Sequence, residues 1–223
     1  MTTKAERLAK MQARYEEMMA FDAQFRGTEE EPVYVAGVDE VGRGPLAGPV
    51  VTACVVLPKD FNVLGVDDSK KISEKRREAL YSEILDQALA CGIGLRGNAE
   101  IDRINILEAT KEAMLDAVRA ADEELRERLG HGIGRVLIDA VRLQDLDSPQ
   151  TSIVKGDATS ESIAAASIVA KVTRDRMMVR YAEVYPGYAF EKNKGYGTAA
   201  HYAGIRERGL TPIHRKTFVK DYL

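Results

Sequence analysis

The sequence predicts an α/β domain built on a mixed five-stranded sheet flanked by helices, with an appended N-terminal helix. Three observations carry that prediction. β-Branched runs at Val33–Val41 and Val50–Leu57 are separated by little more than a Gly-rich turn, so they are expected to pair antiparallel. Two further apolar runs, Arg135–Asp139 and Thr151–Lys155, alternate with helical patterns, as in sheets that contain parallel pairs. With 223 residues, 45% of them hydrophobic, the chain is long enough to bury one sizeable core.

Taken in order, Thr3-Lys-Ala-Glu6 is a capping-box pattern, and Leu8, Met11, Tyr15, Met18 and Met19 follow on one helical face. This helix is expected to end near Phe25-Arg26-Gly27, before a short linker at Thr28–Pro32. Residues 1–30 therefore read as an extension, and 31–223 as the main domain with a basic C-terminal helical part. Packing of the extension on the domain is favoured over docking to a partner. The first strand stops at Gly42-Arg43-Gly44-Pro45. Ser73 opens a helix with Leu80, Ile84 and Ala88 inward, ended by Cys91-Gly92, and Ile93–Asn98 follows as a strand. Asn105 caps a long helix stopped by Gly130. Thr159 or Ser160 starts a helix to about Val184, whose small residues at Ile163–Ala170 let it lie close against the sheet. A last helix runs from Thr198 to Gly209.

Composition excludes several classes. The longest apolar stretches are about half of the roughly 20 residues that span a bilayer, and MTTKAERLAK lacks the apolar segment of a secretory signal. Cys54 and Cys91 sit in apolar surroundings without a CxxC or Cys/His partner. They read as reduced core residues of a cytoplasmic protein, not as a disulfide or a zinc site. The net charge of −3 conceals an asymmetry: residues 1–170 carry an acidic excess of nine and residues 171–223 a basic excess of six. Lys70, Lys71, Lys75, Arg76 and Arg77 form a second basic knot. An acidic body with a basic quarter suits local neutralisation of phosphates, with solvated helix faces as the plain alternative.

Four carboxylates stand at three strand ends: Asp39 and Glu40, Asp139, and Asp157 just beyond the fifth strand. Asp157 alone reads as a helix or turn cap. Four together would repel, and a divalent cation resolves that repulsion. An all-oxygen set suits Mg²⁺ or Mn²⁺, and a pair of such ions suits phosphodiester hydrolysis. The competing chemistries are poorly supported. His131, His201 and His214 are scattered, GRGPLAG has no Walker lysine, and no GxSxG is present. Gly42-Arg43-Gly44 is a tight turn in which backbone N–H groups can also approach a ligand. The segment Tyr185–Thr198 interleaves aromatics with lysines, a weak nucleic-acid pattern that also anchors loops.

The landmarks GVDEVGRGPLAGPVV, DSKKISEKRR, NILEAT, VLIDA, KGDATSESIAAASIVAKVTRD, NKGYGTAAH and HRKTF, in that order, resemble the bacterial ribonuclease HII family over about Val35–Phe218. The resemblance implies a ribonuclease H-like fold. It implies Mg²⁺ or Mn²⁺ held by Asp39, Glu40, Asp139 and Asp157, and 2′-OH sensing by Gly42, Arg43 and Gly44 with Tyr196 on the following sugar. It also implies phosphate contacts by Lys70 and Lys71, extended by Lys171, Arg174, Arg215 and Lys216. The implied partners are RNA/DNA hybrid and ribonucleotide-containing duplex DNA, cut on the 5′ side of the ribonucleotide to leave 3′-hydroxyl and 5′-phosphate ends. No membrane is implied, and a monomer is the default. Asn193 stands where many relatives have His, and Val141 where Leu is common. Asp at 157 and the retained GRG element disfavour the ribonuclease HIII type. A DNA-junction nuclease on the same fold and a non-cleaving hybrid-binding module are the other readings.

Overall fold

The computed structural model describes residues 3–220, so the last three residues of the expected main domain lie outside the described residues. The chain runs α1 (Lys4–Ala23), β1 (Val35–Val41), β2 (Val50–Val56), α2 (Glu74–Gln87), β3 (Ala90–Arg96), α3 (Asn98–Ile104) and α4 (Ile106–Leu129). It continues with β4 (Arg135–Asp139), β5 (Gln150–Ile153), a 3₁₀ turn (Gly156–Ala158), α5 (Glu161–Val184), α6 (Phe190–Asn193) and α7 (Ala199–Arg208). The sheet order is β3-β2-β1-β4-β5, with β1 antiparallel to β2 and parallel to β4. This is the mixed five-stranded α/β architecture that the strand pattern predicts.

Local chemistry sets most helix starts. Thr3 forms the expected capping box with Glu6, and Ser73, Ser160 and Thr198 each accept an N–H from the first turn of α2, α5 and α7. Asn105 accepts from Leu107 and Glu108, and Gly130 ends α4 in the left-handed region. The two faces of the sheet are covered differently. α5, α2 and α1 bury one face over Ala53, Val55, Leu57, Phe61 and Ile168. α4 covers the other over Val38, Cys54, Val136 and Ile138. A third cluster, with Met178, Tyr188, Phe190 and Ile205, unites α5, α6 and α7.

Two expectations about this region are corrected. α2 ends at Gln87, short of Cys91-Gly92, and β3 already begins at Ala90. Gly92 and Gly94 are strand residues: a Cβ on either would lie 1.9 Å from the carbonyl oxygen of Ala117 or Ala113 on α4. The glycines let α4 rest directly on the backbone of β3. The turn of helix α3 falls in what reads as a strand end, because Gly97 caps it without a side chain.

The N-terminal helix packs on the domain, as favoured. Met18 is fully buried, which contributes about 2 kcal/mol. The buried Asp22 carboxylate accepts the Ser162 backbone N–H (2.8 Å) and hydroxyl (2.6 Å) at the start of α5. Tyr15 donates its hydroxyl to the Phe61 carbonyl.

Candidate active site

The parallel register of β1 and β4 pairs Val38 with Ile138, so Asp39 and Asp139 stand one position further along neighbouring strands. β4 is parallel to β5, and Asp139 pairs with Ile153 at the end of β5. Two residues beyond, the chain turns through Lys155 in the left-handed region into the 3₁₀ turn that carries Asp157. The Gly156 N–H donates to Asp139 Oδ1 at 2.7 Å, tying that turn to β4. Ser160 caps α5, so Asp157 is free of the capping duty that the sequence alone assigns to it.

The four carboxylates share one electrostatic environment. Burial first, then Glu40 and Asp139, push the Asp39 carboxyl well above its ordinary range. Burial raises Glu40, Arg43 pulls it back, and Asp139 raises it again. Asp157 is raised by burial, then by Asp68 and Asp139. Among the described residues, no three acidic, histidine or cysteine side chains converge into a ready-made cation cage. The carboxylates nevertheless suit a hard divalent ion, because the donor set is all oxygen and the buried Glu40 Oε2 has no hydrogen-bond partner.

Lys70 belongs to the same centre. Burial works against its charge, but Asp68, Asp157, Asp39 and Asp139 together raise its pKa. Lys71 faces Asp67 (3.5 Å) and Asp68 (3.8 Å). Two polar residues that sequence reasoning missed support this edge. Ser167 of α5 lowers the pKa of the Asp39 carboxyl against its burial and donates its hydroxyl to the Ser69 hydroxyl at 2.9 Å. A serine inside the Ile163–Ala170 run of small apolar residues is the signal that could have found the first of them.

The Gly42–Gly44 loop follows β1. Gly42 has φ +95°, and a Cβ there would strike Arg174 Nε at 2.2 Å. Arg43 reaches back to Glu40 at 3.5 Å. A Cβ at Gly44 would meet the Tyr196 ring at 3.6 Å, so the structure brings the GRG element and Tyr196 together, with that tyrosine 44% exposed. Asn193 holds the Tyr196 loop by donating to the Tyr188 carbonyl (2.7 Å) and accepting the Gly195 N–H (2.8 Å). Tyr188 and Phe190 are buried and stacked on each other, so most aromatics of this segment anchor the loop.

The expectation that Arg174 and Arg215 touch phosphates is corrected. Both are 0% exposed. Arg174 donates to the carbonyls of Pro49 (2.9 Å), Lys194 (2.8 Å) and Ala47 (3.1 Å). Arg215 donates to those of Gly48 (3.0 Å), Arg43 (2.9 Å) and Gly42 (2.6 Å). They are the internal scaffold of the GRG loop, and their burial keeps the guanidinium groups out of a substrate's reach. Lys171 is largely committed as well, with its ammonium 2.7 Å from Asp175. Lys216 is exposed, and its backbone N–H is held by Asp102.

A buried histidine pair backs the Tyr196 loop. The Thr211 N–H donates to His214 Nδ1 (2.9 Å), so His214 Nε2 carries the proton and donates to His201 Nε2 (3.0 Å). His201 Nδ1 then donates to the Tyr196 carbonyl (2.9 Å), which leaves both rings neutral. Burial and the neighbouring His201 push His214 down to about 4. The unfolded ring, near 6.5, takes up a proton that the folded ring refuses until about pH 4. Stability from this pair is therefore complete above about pH 6.5 and is lost progressively down to about pH 4, by roughly 3 kcal/mol. Urea midpoints measured across that window should fall more steeply with acid in the natural protein than in His214→Gln. Parallel curves would refute this.

The arrangement is an α/β fold of the ribonuclease H type, with acids from β1, β4 and the 3₁₀ turn after β5 at the C-terminal ends of these parallel strands. The chain belongs to the ribonuclease HII family: the Ribonuclease HII family model matches residues 36–221. It is 55% identical over 191 residues to ribonuclease HII of Enterococcus faecalis, covering 85% of this chain and 71% of that protein. It is 50% identical over 220 residues to ribonuclease HII of Lachnoclostridium phytofermentans, covering 96% and 84%. The crystal structure of ribonuclease H2 from Pyrococcus horikoshii is similar at a TM-score of 0.66 and 27% identity, over 85% of this chain and 97% of that one. The protein is accordingly an endonuclease of the ribonuclease H type.

Proposed function

We propose that the protein cuts RNA/DNA hybrids, and duplex DNA carrying single ribonucleotides, on the 5′ side of the ribonucleotide, leaving 3′-hydroxyl and 5′-phosphate ends. The observation that carries this reading is the juxtaposition of a carboxylate edge with a rigid Gly-rich loop against an exposed tyrosine. Asp39, Glu40, Asp139 and Asp157 would hold Mg²⁺ or Mn²⁺, in a two-ion arrangement. When bound, such ions activate water and stabilise the leaving oxygen of a phosphodiester.

The protein's own residues do the rest. Gly42–Gly44, pinned from below by Arg215 and Arg174, offers backbone groups to the ribose without reorganising. Tyr196 beside Gly44 supplies a flat surface for the adjoining deoxyribose. Lys70, drawn to the carboxylates, places a cation where the phosphate enters. Lys71 and Lys216 add backbone affinity without base readout. Residues 31–223 form the catalytic domain in this reading, with residues 1–30 as its appended support. The protein works in the cytoplasm as a monomer. Free Cys54 and Cys91 support that compartment, and among the described residues no helix is long and apolar enough to cross a membrane.

The test is cleavage of two end-labelled duplexes that differ by one ribonucleotide, each with Mg²⁺, Mn²⁺ or EDTA. Metal-dependent cutting of only the ribonucleotide duplex, at its 5′ side, is expected. Cutting of both would sink the GRG–Tyr196 account of 2′-OH sensing while leaving the carboxylate edge in place.

A further inference from the structure

Arg7, Lys10 and Arg14 recur at helical spacing along one side of α1. That side lies over the segment leading into α2, and the two enclose a cleft of about 710 Å³. Five cations line it, Arg7, Lys10, Arg14, Lys71 and Arg76, against the single acid Asp67. Three of the five are engaged by the protein. Arg14 pairs with Glu17 (2.8 Å), Arg76 with Glu83 (2.8 Å) and the Leu64 carbonyl (2.7 Å), and Lys71 with Asp67. Arg7 and Lys10 are exposed, and their side chains have no hydrogen bond or ion pair among the described residues. The acids nearest to them on the helix are already engaged, Glu6 by the Thr3 N–H (2.6 Å), Glu16 by the Gln12 amide (2.7 Å) and Glu17 by Arg14 (2.8 Å). The cleft therefore holds uncompensated positive charge.

It also borders the carboxylate edge at two points. Arg14 donates to the carbonyl of Ala158, the residue after Asp157. Lys71 lines the cleft and adjoins Lys70, whose ammonium is drawn to the acids. An anionic strand leaving the active site can continue onto α1 past Asp67 and Asp68, both of which Lys71 faces. We propose that Arg7 and Lys10, with Lys71, form a second, non-catalytic site for the phosphodiester backbone of the substrate's flank. This rests on the reading of the protein as a hybrid nuclease. The ligand is a run of backbone phosphates and carries no base sequence. A solvated helix face is the alternative.

The test is steady-state cleavage of a long hybrid at a series of salt concentrations, comparing the natural protein with the Arg7→Ala/Lys10→Ala double variant. Both side chains are exposed, and an unchanged melting temperature checks the fold. The site predicts that KM rises about tenfold while kcat stays put. The slope of log kcat/KM against log salt should become shallower by about 1.8, or about 0.9 for each phosphate no longer neutralised. The charge-conserving Arg7→Lys/Lys10→Arg variant should keep the natural slope. An unchanged KM and slope in the alanine variant would overturn the proposal and leave these residues as solvated charge. Failure of the natural protein to cut the hybrid would instead overturn the nuclease reading, and this site with it.

Discussion

Asp139→Asn is expected to lower the cleavage rate by at least about 10³-fold, the equivalent of about 4 kcal/mol of transition-state stabilisation. Asp139 stands on β4 beside Asp39, and its charge raises the pKa of Asp39, Glu40 and Asp157 together. Asparagine keeps the size of the side chain and an oxygen that can still accept the Gly156 N–H, held at 2.7 Å in the natural protein. The fold should therefore survive. Removing one charge from a mutually repelling group should leave the metal-free protein no less stable. The diagnostic result is a large loss of cleavage at an undiminished melting temperature. Cleavage within tenfold of the natural protein would remove the carboxylate edge from the chemistry.

The second large effect is on the architecture of the GRG loop. Arg215→Met keeps much of the side-chain volume but withdraws donors from the carbonyls of Gly48, Arg43 and Gly42. Each buried carbonyl left without a donor costs about 1–3 kcal/mol. A total of about 4 kcal/mol lowers the melting temperature by on the order of 10 °C for a chain of this size. Because the same carbonyls belong to the loop assigned to the ribose, discrimination between ribonucleotide and all-DNA duplexes should weaken in parallel. A phosphate-contacting Arg215 makes the opposite prediction: an unchanged melting temperature and a shallower salt dependence. Calorimetry on the variant separates the two.

That residue also shows where the sequence stops being legible. Counting charges finds Arg174 and Arg215 among the basic residues of the C-terminal quarter, but a count says nothing about burial. Their role comes from backbone carbonyls of residues 42–49, far away in sequence, which fold back over them. Gly92 misleads for a similar reason. By local rules a glycine after an apolar helix is a cap, whereas here the missing Cβ makes room for a carbonyl of α4. The legible features depend on neighbours only a few residues away. Caps at Thr3, Ser73, Asn105, Ser160 and Thr198 and the strands that carry Asp39 and Asp139 are of this kind. The gathering of the acids is legible in the strand ends. The pull of these acids on Lys70 and the Ser167–Ser69 bridge require the fold.

The order of the sheet has a consequence for how the protein is made. β1, β2 and β3 form an antiparallel run that is complete within the first hundred residues, so they can assemble while the chain is still being synthesised. The other edge of β1 waits for β4, a hundred positions later, and α5 comes later still. A ribosome that stalls before β4 therefore releases no half-active nuclease. It releases an apolar strand with an open row of backbone donors and acceptors, a template for aggregation that only completion of the chain removes.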